Sequence, residues 1–497
     1  MASEAQSIEG VQDSGHMLLG GRLVAGEGAP ITVIDPSTGQ PTATFAGASV
    51  AQFGKAIAIA RAAYEEGQWA NLRPVARLGI LQAYLDLLNV NTDRLRRLIV
   101  RETGCPIGSF AIRAQVESPL HQMQQMLDLY PSLPELVENP LTLDERVAVT
   151  GGFVQSLRRY VPVGVVAAIS AYNFPLHISL WKLLPALAAG NSVILRPSPL
   201  TPLATLALGE IAVEAGLPEG VLSILAEGGA EGAQLLTTHR DVNLVTFTGS
   251  TSVGIRVAEQ GAPTMKRMHL ELGGKSAQIV LPDKIEAAFD AAVTVCMSHA
   301  GQGCVLGTRL FVPEEEKPKV LAAMKASLDY ARIGDSTDPS TTMGPVISEA
   351  QMERCERYVQ LAVEAGATVV TGGKRANRPG FYFEPTILDL PDNRNPAAQD
   401  EIFGPVIGVI GYRDVEHAIE MANDSELGLS GYVHGKDARA ALEVAKRLRT
   451  GTVNVNTFFA SGNASSGGHK LSGVGRERGV EGIRAFQEIQ VLNLGGM

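Results

Sequence analysis

The hydrophobic pattern of the chain changes along its length, and it is helical after an opening stretch of short pieces. Residues 1–50 carry β-rich segments separated by turn formers. Apolar positions recur every three or four residues over 51–64 and 77–101, which predicts helices. Asn91 and its neighbours interrupt the second pattern, so a new helix is expected to begin there.

A regular alternation of apolar strands and amphipathic helices begins near residue 163. The predicted strands are 163–170, 192–195, 221–225 and 244–248, and the predicted helices are 174–189, 203–215, 230–237 and 253–259. Strands joined by such helices form right-handed βαβ units on a parallel sheet. We therefore predict a Rossmann-like layer in this part of the chain.

A second alternating set runs from residue 274 to about 450. Helices are predicted over 288–299, 317–331 and 348–365, with a strand over 308–312. The glycine-rich segment 462–475 is predicted to be a loop, and 485–494 a final strand. The fold class indicated is α/β, with two alternating layers.

Residues 140–162 interrupt the helical pattern and are predicted to be extended. Gly151-Gly152 lies between two β-prone runs, which is typical of a hairpin. An extended arm of this kind can add to the sheet edge of another subunit.

Composition narrows the possible partners and compartments. A chain of 497 residues is long enough for about two to three domains. The net charge of −10 argues against nucleic acid or an anionic membrane as the main partner. No apolar run approaches the roughly 20 residues of a membrane span, and the acidic first twenty residues lack the apolar region of a signal peptide. Four scattered cysteines predict neither a disulfide framework nor a metal site, and favour a reducing cytoplasm.

Cysteine is the first candidate for chemistry, because a thiolate can attack a carbonyl carbon. Cys304 follows Gly301-Gln302-Gly303, and glycines allow a substrate to approach closely. By contrast, Cys296 lies in an apolar helix, Cys355 in a charged helix and Cys105 in a glycine-proline turn. The alternative for Cys304 is a small buried hydrophobic residue, and local context leaves both open.

Glu271 and Asn173 are the polar candidates beside that thiol. Glu271 lies between Leu270 and Leu272-Gly273, so it is either a partly buried general base with a raised pKa or an exposed edge residue. Asn173 lies at a predicted strand-to-helix junction. Its amide either caps the helix or donates to an oxyanion.

A glycine turn at Gly249 to Gly254 joins a predicted strand to a predicted helix. Amides at such a helix start can hold a phosphate. The spacing differs from G-x-G-x-x-G, so an ordinary βα turn remains the alternative.

Several motifs now converge on one family. The chain resembles the NAD(P)-dependent, non-acylating aldehyde dehydrogenases over nearly its whole length. The motifs that carry the resemblance are Tyr172-Asn173-Phe174-Pro175, Phe247-Thr248-Gly249-Ser250 with Gly254, Glu271-Leu272-Gly273-Gly274-Lys275, Gly301-Gln302-Gly303-Cys304, Glu401-Ile402-Phe403-Gly404-Pro405-Val406, Gly451-Thr452-Val453-Asn454 and Lys470-Leu471-Ser472-Gly473. Their order along the chain is that of the family, which makes the signal specific.

The resemblance implies a fold, an activity and a set of site residues. The fold is a Rossmann-like cofactor domain (1–139 and 163–273), an α/β catalytic domain (274–450) and a β oligomerisation arm (140–162 and 484–497). The activity is oxidation of an aldehyde to the carboxylic acid, through a thiohemiacetal and a thioester on Cys304. The implied catalytic residues are Cys304 as nucleophile, Asn173 with the Cys304 amide as oxyanion hole, Glu271 as the base for deacylation, and Lys182 and Glu477 in proton relay. The implied cofactor-binding residues are Ser170, Tyr172, Arg196, Ser198, Gly249, Ser250, Gly254, Leu272, Glu401 and Phe403. The implied tunnel residues are Phe174, Trp181, Phe458 and Phe459, and no metal is implied.

Departures from the family pattern affect cofactor and substrate. Arg196 replaces the usual lysine near the adenosine ribose, and Pro199 replaces a glutamate that often binds the ribose hydroxyls. NAD is the favoured cofactor, with NADP open because no carboxylate is expected to repel a 2′-phosphate. Ser466 replaces an aromatic residue of the tunnel. A tunnel of moderate width favours medium aliphatic or aromatic aldehydes, and semialdehydes are less favoured because no arginine can be assigned to the tunnel.

Three rival functions remain. Glu271 argues against a CoA-acylating semialdehyde dehydrogenase, in which such a base is dispensable. The joint presence of Cys304, Glu271 and Asn173 argues against a non-catalytic protein on the same fold. A cysteine hydrolase is disfavoured because only His299 lies near Cys304 in sequence. The resemblance also implies a homodimer or homotetramer.

Overall fold

A computed structural model describes residues 15–149, 151–458 and 461–495. Its strands are β1 (Met17–Leu19), β2 (Arg22–Val24), β3 (Pro30–Asp35), β4 (Gln40–Ala46), β5 (Leu136–Glu138), β6 (Val154–Pro162), β7 (Val165–Ile169), β8 (Ser192–Arg196), β9 (Leu222–Ile224), β10 (Leu244–Thr248), β11 (Arg267–Glu271), β12 (Ala277–Val280), β13 (Arg309–Pro313), β14 (Thr368–Thr371), β15 (Thr386–Asp389), β16 (Val406–Tyr412), β17 (Leu427–Gly428), β18 (Ser430–His434), β19 (Thr452–Val455), β20 (His469–Lys470), β21 (Gly473–Val474) and β22 (Gln487–Gly495).

The α-helices lie between and around these strands. They are α1 (Val50–Glu66), α2 (Pro74–Val90), α3 (Thr92–Thr103), α4 (Phe110–Gln115), α5 (Glu117–Leu129), α6 (Pro175–Ala188), α7 (Leu203–Glu214), α8 (Glu231–Thr238), α9 (Thr251–Gly261), α10 (Ala291–Met297), α11 (Lys317–Ser327), α12 (Glu349–Glu364), α13 (Pro396–Gln399), α14 (Val415–Asn423), α15 (Ala438–Ala445) and α16 (Gly479–Arg484). Within the described residues, no helix is long and apolar enough to cross a membrane.

Local signals explain where the helices begin and end. Ser49 and Gln52 form a reciprocal capping box at the start of α1, and Gly67 ends the helix in the left-handed conformation. The predicted break at Asn91 is confirmed, because α2 ends at Val90 and α3 begins at Thr92.

The first sheet has the order β2-β1-β9-β8-β7-β10-β11-β21. Its central strands β9, β8, β7, β10 and β11 are parallel, as the alternating pattern predicts. The chain order reverses between β7 and β10, so the sheet has a topological switch point there. Buried apolar residues of β7, β8 and α6 form the centre of its core.

The second sheet has the order β14-β15-β16-β13-β12-β18-β19. It is parallel except for the edge strand β14. The segment Leu272 to Ser276 links β11 of the first sheet directly to β12 of the second. The carboxyl end of β11 and the start of the second sheet are therefore close neighbours in the chain.

The predicted arm forms a separate three-stranded sheet of order β22-β6-β5. The final strand β22 pairs with β6 along its whole length. Val147 and Phe153 pair across the Gly151-Gly152 turn, so the predicted hairpin is present only as a single bridge. The assignment of the chain to three domains stays a prediction.

One predicted helix is wrong. The segment 288–299 does not form a continuous helix, because a 3-10 turn occupies Pro282–Ala288 and only Ala291–Met297 is α-helical. His299 and Ala300 then adopt positive φ angles of 52° and 50°. Left-handed residues cannot continue a helix, so the chain turns just before Cys304. The loop predicted over 462–475 also contains the short strands β20 and β21.

Candidate active site

Most of the predicted cofactor-binding residues lie along one edge of the first sheet. Ser170 follows β7, Arg196 ends β8, Gly249 follows β10 and Leu272 follows β11. Tyr172 and Ser198 lie in the loops after β7 and β8. Since parallel strands end at a common edge, the structure brings these residues together at the switch point, where dinucleotides bind in sheets of this kind.

The turn from β10 into α9 is suited to a pyrophosphate. Ser250 precedes α9, and its side chain makes no capping hydrogen bond to the helix. The first amides of this 11-residue helix are thus not satisfied by a side-chain cap. Gly254 permits close packing, since a Cβ there would lie 2.4 Å from a methyl of Leu272. These residues fit a nicotinamide dinucleotide.

Cys304 lies in the loop between α10 and β13. The other three cysteines are buried, and Cys304 alone is partly exposed. Desolvation, followed by the charges of Glu401 and Glu271, raises the pKa of the Cys304 thiol. A Cβ at Gly274 would lie 2.1 Å from the Cys304 carbonyl oxygen, so only glycine lets the link between the two sheets pass so close.

Asn173 is held against the cysteine loop. Its Nδ2 donates to the carbonyl oxygen of Gln302 at 2.9 Å, and its own carbonyl oxygen accepts from Gln115 Nε2 at 2.7 Å. The Asn173 side chain makes no capping hydrogen bond to α6, so it is not the helix cap that the sequence left open. Its second N–H is available for a developing oxyanion.

Glu271 ends β11 and is mostly buried. Desolvation and the nearby charge of Glu477 raise the pKa of its carboxyl to about 8. Glu271 is therefore a mostly buried carboxyl with a raised pKa and not an exposed edge residue, and its role as a base stays a prediction. Gly467 packs closely here, since a Cβ at Gly467 would lie 2.6 Å from the Gly475 carbonyl oxygen and 3.1 Å from Glu271 Oε1.

Glu401 and Phe403 connect the second sheet to this edge. Glu401 Oε1 accepts from the Gly274 amide at 2.8 Å, and burial raises the pKa of its carboxyl to about 7. The Phe403 ring lies edge-on to Tyr172, with ring centres 6.0 Å apart. Phe403 also has a positive φ of 62°, a strained conformation for a bulky residue. Residues from both sheets therefore converge around Cys304.

Lys182 and Glu477 form an ion pair packed against β10 of the first sheet. Lys182 Nζ donates to Glu477 Oε1 at 2.8 Å and to Thr246 Oγ1 at 3.1 Å. Lys182, on α6, and Glu477, just before α16, are both buried. This pair lowers the pKa of the Glu477 carboxyl, although burial opposes it.

Arg196 has a partner that the sequence did not indicate. Its Nε donates to Glu227 Oε1 at 3.0 Å, and its Nη2 donates to the Gly229 carbonyl oxygen at 2.7 Å. Glu227 also accepts from the amides of Gly232 and Ala233, which begin α8. Pro199 supplies no carboxylate here, but Glu227 places one beside Arg196 from a different loop.

The predicted tunnel residues fall into two groups. His177 lies edge-on to Phe174 and to Trp181, with ring centres 6.2 Å and 4.1 Å apart. Phe458 instead packs near Tyr432 and is half exposed. Tyr432 reaches the cysteine loop by donating to the Val305 carbonyl oxygen at 2.9 Å. Phe459 lies outside the described residues, and its role stays a prediction.

Sequence reasoning missed Arg478, which lies against Trp181. Its guanidinium carbon is 4.7 Å from the centre of the Trp181 ring. Arg478 Nε donates to Ser466 Oγ at 3.1 Å, so the guanidinium packs beside the position that lost an aromatic side chain. The sequence carried one signal for it, the adjacency of Arg478 to Glu477. No arginine could be assigned to the tunnel from the sequence, and the structure places one beside Trp181.

The residues described above provide no metal site. Within the described ranges, no cluster of three or more His, Cys, Asp or Glu side chains could hold a metal ion. The oxygen, nitrogen and sulfur atoms near Cys304 come instead from carboxylates, amides and the thiol.

A comparison with known families decides the identity of this arrangement. The model of the aldehyde dehydrogenase family matches residues 23–492. The chain belongs to the aldehyde dehydrogenase family. A geranial dehydrogenase of Castellaniella defragrans is 36% identical over 486 residues, which cover 97% of this chain and 99% of the relative. A betaine aldehyde dehydrogenase of Cereibacter sphaeroides is 36% identical over 482 residues, 97% of each chain.

Solved structures of aldehyde dehydrogenases have the same fold. An aldehyde dehydrogenase of Mycobacterium tuberculosis complexed with NAD⁺ has a TM-score of 0.90 and 36% identity, over 95% of this chain and 96% of that one. AldC of Pseudomonas syringae, a cysteine-to-alanine mutant complexed with NAD⁺ and octanal, has a TM-score of 0.89 and 32% identity over 96% of each chain. The present aldehyde dehydrogenase therefore has the predicted α/β architecture.

Proposed function

We propose that this aldehyde dehydrogenase oxidises an aldehyde to the carboxylic acid with NAD, through a thiohemiacetal and then a thioester on Cys304. One observation carries the proposal. The only partly exposed cysteine lies where the two sheets meet, beside the Asn173 amide and near the carboxylates of Glu271 and Glu401. A nucleophile, an oxyanion donor and a base are the parts that this chemistry needs.

The residues act in sequence. Cys304 Sγ adds to the carbonyl carbon, and the free N–H of Asn173, with the Cys304 backbone amide, stabilises the oxyanion by about 3 kcal/mol per good donor. Bound NAD supplies the acceptor for the hydride that leaves this carbon. The thioester is then hydrolysed by a water that Glu271 deprotonates. Lys182 and Glu477 hold charges behind Glu271 and make up the proton relay.

The cofactor site supports NAD over NADP. The first amides of α9 would bind the pyrophosphate, and Glu401 would hold the nicotinamide ribose beside Phe403. The guanidinium of Arg196 is already paired with Glu227. Because Glu227 offsets the charge of Arg196, the guanidinium attracts the 2′-phosphate of NADP only weakly. The affinity for NADP is therefore expected to exceed that for NAD by little.

Replacing Glu227 tests that assignment. In Glu227→Gln, the Arg196 charge loses its partner, and we expect the ratio of kcat/KM for NADP to that for NAD to rise about tenfold, or about 1.4 kcal/mol. Initial rates with both cofactors measure the ratio, and thermal unfolding checks the fold because a broken buried pair is destabilising. Glu231→Gln, at an exposed carboxylate four residues away, is the matched control. An unchanged ratio in a folded Glu227→Gln protein would contradict the assignment.

Phe174 and Trp181 support an uncharged aldehyde of medium length as the substrate. Their rings and that of His177 form a mainly apolar wall. The Arg478 guanidinium covers Trp181, a ring that would otherwise attract a cationic substrate. The positive charge of Arg478 would repel that of a cationic aldehyde bound at this wall, at a cost of several kcal/mol.

A panel of aldehydes tests both the activity and this preference. With NAD, we expect octanal and benzaldehyde to be oxidised, and betaine aldehyde to have a kcat/KM at least about 100-fold lower. NADH formation and identification of the acid by chromatography are the measurements. Added CoA should leave the product unchanged. Acyl-CoA as the main product would favour the acylating alternative, and efficient turnover of betaine aldehyde would exclude the proposed role of Arg478.

Arg478 also favours a second substrate class, aldehydes that carry a carboxylate. Its guanidinium packs against a predicted tunnel residue and has the geometry to bind a carboxylate. Succinic semialdehyde therefore belongs in the same panel. If kcat/KM for succinic semialdehyde exceeds that for octanal and this excess is lost in Arg478→Gln, aldehydes that carry a carboxylate are the preferred substrates.

We also propose that the arm joins two or more copies of the chain. Strand β22 is at the edge of the three-stranded sheet and exposes Ile489 and Val491. An exposed apolar edge strand is suited to pairing with another sheet. A homodimer or a homotetramer is consistent with this surface. The free cysteines suit a reducing compartment, and we assign the enzyme to the cytoplasm.

A further inference from the structure

A buried histidine lies directly behind the proposed base. His269 and Glu271 are two residues apart on β11, so their side chains project from the same face of the sheet. In the register of β10 and β11, Thr246 is opposite His269 and Thr248 is opposite Glu271. His269 is 2% exposed, so its ring nitrogens depend on protein partners.

The contacts on the Nδ1 side of His269 indicate which ring nitrogen carries its proton. Lys182 Nζ donates to Thr246 Oγ1 at 3.1 Å, so the single hydroxyl hydrogen of Thr246 is directed elsewhere. Thr246 Oγ1 lies 3.1 Å from His269 Nδ1, and we infer that the hydroxyl donates to this nitrogen. A neutral imidazole that accepts at Nδ1 carries its proton on Nε2. Burial lowers the pKa of His269 to about 4, which keeps the ring neutral near pH 7.

The protonated nitrogen faces the base. His269 Nε2 lies 3.9 Å from Glu271 Oε1, and neither atom has a hydrogen-bond partner among the described residues. A movement of about 1 Å brings them to hydrogen-bond distance. Gly475 provides the space for the ring, because a Cβ there would lie 2.5 Å from His269 Cδ2.

We propose that His269 is a positioning residue for deacylation, which donates from Nε2 to Glu271 Oε1 and leaves Glu271 Oε2 to take a proton from the attacking water. This inference rests on the proposed function. In the step it supports, the water oxygen bonds to the thioester carbon as Glu271 takes one water proton. The carbon–sulfur bond then breaks, and the Cys304 thiolate recovers a proton from Glu271.

Other charges around Glu271 act in parallel with this hydrogen bond. Glu477 raises the pKa of the Glu271 carboxyl, whereas Lys182, Arg476 and Arg478 lower it. Glu477 and Lys182 also act on His269 in opposite directions. His269 in turn lowers the pKa of the Glu477 carboxyl, so both variants at His269 remove that influence, and the comparison between them isolates the hydrogen bond.

Paired substitutions separate positioning from packing. His269→Leu fills the site without a donor, whereas His269→Gln retains a donor near the position of Nε2 and an acceptor for Thr246. Loss of a hydrogen bond to the charged form raises the pKa of a carboxyl. We therefore expect the pH midpoint of deacylation to rise by about one unit in His269→Leu, which lowers the rate at pH 7 about tenfold. We expect it to stay near the wild-type value in His269→Gln.

Deacylation can be followed without aldehyde or dinucleotide. p-Nitrophenyl acetate acylates a reactive thiol, and intact-protein mass spectrometry then follows the loss of the acetyl group from pH 6 to pH 10. Failure to acetylate Cys304 in the wild-type protein counts against the proposed function itself. Normal acetylation with the same midpoint in wild type and His269→Leu would overturn the role of His269, and so would equal shifts in both variants.

Thr246→Val provides a second test with the histidine intact. It removes the hydroxyl that selects the Nε2–H tautomer, so we expect the midpoint to shift in the same direction as in His269→Leu. The double variant should shift no further than either single one, because both substitutions remove the hydrogen bond from His269 to Glu271. Thr246→Val also removes an acceptor of Lys182 Nζ, so Thr246→Ser, which keeps the hydroxyl, is its control and should keep the wild-type midpoint. If His269→Leu does not fold, Thr246→Val decides alone, and an unshifted midpoint in that variant contradicts the proposal.

Discussion

Replacement of Cys304 by serine is expected to reduce the oxidation of every aldehyde to below about one per cent of the wild-type rate. A serine hydroxyl is a far weaker nucleophile than a thiol, and among the described residues no histidine is hydrogen-bonded to this position to activate it. Steady-state NADH formation measures the loss. Binding of NADH, followed by its fluorescence, should be nearly unchanged, since the dinucleotide contacts proposed above come mainly from the first sheet.

Cys105→Ser is the matched control for that substitution. Cys105 is fully buried, and its sulfur lies 4.0 Å from the Ser109 hydroxyl, so serine has a polar partner there. Full activity in Cys105→Ser and none in Cys304→Ser assigns the chemistry to one sulfur. Turnover by Cys304→Ser above about one per cent would contradict the covalent mechanism.

Glu271→Gln is expected to slow steady turnover by about 10²–10³-fold while the first burst of NADH is preserved. Glutamine cannot take a proton from water, but it leaves the attack by Cys304 and hydride departure in place. Rapid mixing with excess aldehyde separates the burst from the steady rate. Equal loss of both would show that Glu271 acts before the thioester forms.

The same variant gives a pH test. Burial raises the pKa of Glu271 to about 8, and only the carboxylate is a base, so wild-type deacylation should rise as pH increases through 8. In Glu271→Gln that rise should disappear. Glu259→Gln, at an exposed carboxylate of α9, should keep the wild-type profile.

The layers of this fold could be predicted because apolar strands alternate regularly with segments of helical length and spacing, although α6 and α7 are apolar on nearly every face. The strand predicted over 244–248 matches β10 at both ends, since Thr248 is followed by the glycine turn. The helix predicted over 288–299 is wrong for a physical reason. Its apolar spacing is helical, but the left-handed His299 and Ala300 are stabilised by tertiary packing that periodicity does not reveal.

Some residues of the candidate active site could likewise be predicted from the sequence, and others could not. Cys304, Glu271 and Asn173 belong to motifs that are contiguous in the sequence, so they could be chosen before the structure was known. Glu227 could not, because it lies in the loop after β9, 31 positions from its partner Arg196 at the end of β8. The pairing of His269 with Thr246 depends on the register of β10 and β11, which the sequence does not state.

The strand β21 has a consequence for how the enzyme is made. It adds to β11 from a late part of the chain, and Glu477 beyond it reaches Lys182 across 295 positions. A nascent polypeptide on the ribosome can therefore fold both sheets around Cys304 while the charge pair behind Glu271 is still missing. With the relay role proposed for this pair, we expect turnover only once synthesis has passed Glu477, so that the growing chain carries no working catalyst.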